Sequence, residues 1–101
     1  MFYNVLKIKD LINLDGEKVA HKVLMENDSR SLSIVALKKD EIIDTHSALS
    51  DAAVIVIDGE IEMHFNAEKF TVDKGEILMF KKDNEHKVLA LKDSKFFILK
   101  I

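Results

Sequence analysis

Four histidines, His21, His46, His64 and His86, are the side chains best suited to chemistry in this sequence. An imidazole titrates near neutral pH and ligates divalent metals, so each is a candidate general base or metal ligand. There is no cysteine, which removes disulfides, thiolate metal sites and thiol nucleophiles together. Asp44 stands two residues before His46, and side chains two apart on a strand share a face, so Asp44, His46 and position 48 point the same way. Glu60, Glu62 and His64 alternate with Ile61, Met63 and Phe65. A solvated strand face accounts for that pattern, and two acids on the wet side of a sheet do not by themselves point to hydrolysis. His21, beside Lys22 in an early apolar segment, takes a structural or surface role. A Ser47, His86 and Asp44 assembly can be drawn, but no spacing singles it out. The chain has no Gly-rich phosphate loop, nucleophile elbow or dinucleotide fingerprint.

The elements that must position these groups are strands. At 101 residues, with 48% apolar and 33% charged side chains, the chain makes one globular domain, 1–101. The net charge is −3 and the lysines are interleaved with acids, so nucleic acid is not an expected partner. The longest apolar run, residues 52–57, is far too short to span a membrane, and the N-terminus lacks the pattern of a secretion signal. No membrane association is expected, and the simplest location is the cytoplasm. Short apolar segments follow one another between polar turns. A leading segment spans 3–8, and Asp10 is placed to cap one helical turn through Leu11, Ile12 and Leu14. Strands are expected at about 18–25, 31–36, 41–46, 52–57, 60–65, 69–72, 77–80, 86–91 and 96–101. Asp58-Gly59 reads as a tight turn. With no proline, the corners rest on Gly16, Gly59, Gly75 and on Asn, Asp and Lys-rich turns. Regular short strands without a helical period predict an all-β, mostly antiparallel sandwich or closed barrel.

Two stretches carry a family resemblance. Residues 46–60, HSALSDAAVIVIDGE, resemble the first cupin motif, His-x-His, a short gap, Glu, six residues and Gly. Residues 75–86, GEILMFKKDNEH, resemble the second, Gly-x5-Pro-x-Gly-x2-His. Both spacings fit without a gap, from His46 to Gly59 and from Gly75 to His86. The resemblance covers about 32–101, with residues 1–30 as extra N-terminal strands and 31–101 as the barrel core. It implies a cupin-like antiparallel β-barrel, the double-stranded β-helix or jelly roll of the RmlC-like proteins, with His46 and His86 facing an interior pocket. Metal-binding cupins supply two histidines and a glutamate from the first motif and a histidine from the second. Here Ala48 replaces the second histidine, Ala52 replaces the glutamate with Asp51 beside it, Lys81 replaces the proline and Asp83 the glycine. Asp tolerates left-handed backbone, so the turn at Asp83 is expected to survive.

Three readings follow from that resemblance. In the first, the chain is a binding or regulatory cupin whose pocket takes a small-molecule ligand. His46, His86, Asp44, Ala48, Val54 and Val56 would surround the ligand. In the second, His46, His86 and Asp44 hold a divalent ion (Fe, Mn, Ni or Zn) for a dioxygenase, isomerase or decarboxylase, or His86 acts as a metal-free base. Alanine has no donor atom, so the ion would be weakly bound; the plainer role of the two histidines is hydrogen bonding to water, Ser47 or Thr45. Met63, Met79, Phe80, Phe96 and Phe97 are core residues, with one or two at the pocket mouth. In the third, the apolar end 96–101 is an exposed strand that a second copy covers, and a homodimer is expected.

Overall fold

The structure is a computed structural model that describes residues 3–45 and 49–101. The described residues form a 3-10 turn, η1 (Ile8–Asp10), and nine strands: β1 (Val19–Asn27), β2 (Arg30–Leu37), β3 (Ile42–Thr45), β4 (Ala52–Asp58), β5 (Glu60–Phe65), β6 (Lys69–Asp73), β7 (Ile77–Phe80), β8 (His86–Ala90) and β9 (Ser94–Lys100). They assemble into two antiparallel sheets, one ordered β1-β2-β9-β4-β7 and the other β3-β8-β5-β6. After β3 the chain keeps changing sheets: β4, β7 and β9 go to the larger, β5, β6 and β8 to the smaller. The expected barrel is therefore two facing sheets, each with its own free edges rather than one closed hydrogen-bonded cylinder.

Alternation decides which residues meet between the sheets. Val54, Val56 and Phe96 from the larger sheet pack on Ile61, Met63, Val72, Val88 and Ala90 from the smaller, with Val35 and Leu37 completing the buried set. The outer side of β2 is buried as well. Ile34 and Ala36 lie beneath Leu11, Ile12 and Leu14 of the N-terminal segment. The leading segment 3–8 forms no strand and its apolar residues are exposed; the cover of this sheet face comes from the residues that follow it, 11–14. The turn forms at Ile8–Asp10, so Asp10 lies within it instead of capping it, and Val5 is 99% exposed.

Asp58-Gly59 turns the chain as expected, at the corner where it passes from β4 in one sheet to β5 in the other. One other expectation changes: the terminal segment is not an exposed strand. β9 is the third of five, hydrogen-bonded to β2 and β4, so its backbone needs no further partner. The turn at Asp83 does survive the loss of glycine, with φ of 69° at that residue.

Candidate functional site

A cavity of about 580 Å³ opens between the sheets. Its wall is mostly apolar: Val54, Met63, Val88, Phe96 and Ile98 line it, with Ile43, Ala52 and Phe80. Polar groups are few, namely Ser29, Asp44, Ser50, His86 and Lys100. That composition follows from strand parity. Val54 and Val56 alternate with Ile55 on β4, and Phe96 and Ile98 alternate with Phe97 on β9, so one set of each strand faces inward.

His86 opens β8 opposite Thr45 of β3 and Phe65 of β5. Its ring lies among aromatic neighbours, 4.6 Å from the Phe80 centroid and 5.9 Å from that of Phe65, while Phe65 meets Phe80 edge to face at 5.4 Å. Its Nδ1 is 3.0 Å from the carbonyl oxygen of Asn84. A carbonyl can only accept, so Nδ1 carries the proton. In the neutral ring Nε2 is then the basic nitrogen.

Of the other residues singled out by sequence, Asp44 and Val54 line the same cavity as His86 and Val56 does not. Asp44 opposes Lys87, which in turn opposes His64. That register puts Asp44 on the outer face of the smaller sheet, where it borders the cavity only because β3 is an edge strand. Ala52 and Val54 line the cavity, whereas Val56 is 1% exposed in the core and is not part of the lining. His46 and Ala48, like Ser47, lie outside the described residues. His64 sits on the outer face and donates from Nε2 to Glu62 Oε1 at 2.6 Å; these side chains are 30% and 17% exposed, a half-buried pair rather than two separate solvated groups. Among the described residues no group of three His, Asp or Glu side chains is placed to hold a metal. With one imidazole on the wall and Asp44 on the opposite strand face, the described donors do not fit a divalent metal centre.

Lys100, Ser50 and Phe80 also line the cavity. Parity could have found Lys100, since it continues the inward series Ser94, Phe96, Ile98, but Phe97, Leu99 and Ile101 make the opposite series equally apolar.

Asp51 has a structural task beside this site. Its Oδ1 accepts the backbone N–H of Lys82 at 3.0 Å, its Oδ2 is 3.6 Å from Lys81 Nζ, and its carbonyl accepts the N–H of Ile101 at 3.0 Å. The Lys82 N–H bond and then the Lys81 charge hold its carboxyl below the usual carboxylate range. A depressed folded-state pKa contributes stability above the unfolded pKa, and this is lost as pH falls through the folded value. Asp51→Asn is therefore expected to be less stable than the parent at neutral pH. The gap should close as the pH drops below roughly 4. Urea unfolding between about pH 3 and pH 7 reads this; a gap that does not change with pH would exclude the carboxylate's role.

No family model matches the chain, and no curated protein matches it. Solved structures do match. A cupin superfamily protein from Desulfitobacterium hafniense DCB-2 is similar over 100% of this chain and 93% of its own, with a TM-score of 0.90 at 17% identity. An RmlC-like cupin protein from Desulfovibrio desulfuricans gives a TM-score of 0.83 at 16% identity, over 97% of this chain and 95% of its own. The cupin-2 domain of an XRE family transcriptional regulator from Enterobacter cloacae gives 0.74 at 20% identity, over 82% and 95%. At these identities the likeness is one of fold, and the fold is that of the cupins.

Proposed function

We propose that this chain is a cytoplasmic binding protein whose interior cavity takes an apolar small molecule, with a regulatory rather than catalytic use. One observation carries the reading: a cavity of about 580 Å³ with an apolar wall and few polar groups, the usual make-up of a small-molecule site. Similarity in fold to a domain of a transcriptional regulator supports the regulatory side. A divalent-metal enzyme using His46, His86 and Asp44 is the alternative. The pairing of Asp44 with Lys87 on the outer face weighs against it.

The test is a methyl-detected NMR titration with a neutral apolar probe, 4-phenylbutanol. The methyl signals of Met63, Val54 and Val88 are expected to move on addition of the probe. Ile98→Trp puts an indole into the same space and is expected to abolish those shifts while the protein stays folded. Unmoved cavity methyls in the parent protein would overturn the reading.

We also propose that the working form is a homodimer closed through the outer face of the larger sheet. Met25, Leu32, Leu99, Ala53 and Met79 are successive register partners across all five strands, so one apolar row crosses the whole sheet. A second row reads Lys22, Ile34, Phe97, Ile55 and Ile77; the N-terminal segment already covers it at Ile34 and Phe97, and Ile77 is its open end. Met25 is 71% exposed, Met79 72%, Ile77 52% and Ile101 65%. These side chains form an exposed apolar patch of the kind that marks an interaction surface. The row from Met25 to Met79 carries no charge and is its own complement, which favours a second copy as the occupant.

A further inference from the structure

We propose that the ligand is a monocarboxylate, an apolar molecule whose carboxylate is held by the Lys100 ammonium at the cavity mouth; this rests on the reading of the cavity as a ligand site. Lys100 is the last member of the inward series on β9, after Ser94, Phe96 and Ile98, and it lines the cavity. It opposes Ser31 on β2 and Ala52 on β4, and Ala52 opposes Phe80 on β7. Across all five strands this row reads Glu26, Ser31, Lys100, Ala52 and Phe80; Lys100 is its one positive charge, and its one acid, Glu26, stands two strands away on β1. Among the described residues no carboxylate lies within ion-pair distance of Lys100; the ion pairs formed are those of Lys18, His64 and Lys81. Asp44 also borders the cavity, but from the outer face of the edge strand.

The charge is thus left for a ligand to match. Ala52, the neighbour best placed to supply a carboxylate, has no polar atom in its side chain, and Ser50 adds a hydroxyl at the same mouth. Lys100 is exposed, so its ammonium attracts an anion as a water-screened surface charge, and contact of the ligand's apolar body with the wall supplies the rest of the affinity. A single ammonium matches a single carboxylate. Beyond it, Val54, Met63, Val88, Phe96 and Ile98 offer only apolar contact, which suits an aromatic or branched hydrocarbon body and penalises a second charge.

The experiment is the same methyl-detected titration with 4-phenylbutyrate beside 4-phenylbutanol at about pH 7. Both are expected to move the Met63 and Val54 methyls, with the acid binding about three- to fivefold tighter than the alcohol, the size of one exposed ion pair. Lys100→Met should remove that preference by weakening the acid and leaving the alcohol unchanged; Lys100→Arg should retain it. Equal affinity for acid and alcohol, or a preference that persists in Lys100→Met, overturns the carboxylate inference while the cavity remains a ligand site. Methyls that respond to neither probe overturn both.

Discussion

Replacing Gly59 with alanine is expected to cost on the order of 2–5 kcal/mol of folding stability, a large part of what a domain of this size has to lose. Two effects add. Gly59 has φ of 82°, a conformation that costs an L-residue about 1–2 kcal/mol. A Cβ there would also run into the carbonyl oxygen of Asp93 and Oγ of Ser94, and would come within 2.8 Å of Ser94 Cα. Those neighbours have little freedom to move. Ser94 is 2% exposed, and its hydroxyl accepts the Glu60 N–H at 3.0 Å while facing the carbonyls of Lys92 at 2.7 Å and Glu60 at 3.1 Å. The corner between the sheets is thus closed onto the β8–β9 turn. Gly75 is the control, since it has φ of 86° but nothing within 4 Å of the point where a Cβ would stand. Gly75→Ala should lose only the conformational part, about 1–2 kcal/mol. If urea unfolding finds the two substitutions equally costly, close packing at the corner is not what requires glycine.

That corner also shows where sequence reading reaches its limit. Asp58-Gly59 is legible as a turn, because turn chemistry is local. Whether the turn folds a strand back onto its own sheet or carries it to the other depends on contacts with Asp93 and Ser94, more than thirty residues away. The same division holds elsewhere. Alternation from Glu60 to Phe65 correctly separates the core set Ile61 and Met63 from the outward Glu62 and His64, since the faces differ in polarity. On β9 they do not differ. Phe96, Ile98 and Phe97, Leu99 are alike, so nothing local assigns Lys100 to the cavity or reveals that the strand lies mid-sheet. For Asp44 the outcome is set by register: its pairing with Lys87 rather than His86 decides the face, and a one-residue shift would reverse it. The spacing of His86 from Gly75 is readable in the sequence; which carboxylate would join it is not.

The outer face of the larger sheet carries the second large expected effect. The protein should sediment as a dimer at micromolar concentration, and Met25→Glu combined with Met79→Glu should convert it to a monomer. Both methionines are more than 70% exposed, so the substitutions should change the isolated fold by no more than about 0.5 kcal/mol each. In a two-fold interface each substitution occurs twice, so four carboxylates would be taken from water against Leu32, Leu99 and Ala53 with nothing to pair them. Even a penalty of about 1.5 kcal/mol per carboxylate weakens association by more than a thousandfold. Lys87→Glu, on the outer face of the smaller sheet, should leave the dimer intact. A parent protein that is monomeric, or a double variant that stays dimeric, would remove this face as the interface. The two proposed surfaces are also separable: the cavity opens between the sheets and the interface lies on the far side of one of them. The monomeric variant is therefore expected to keep the cavity methyl shifts with 4-phenylbutanol, and losing them along with the dimer would mean that the partner shapes the cavity.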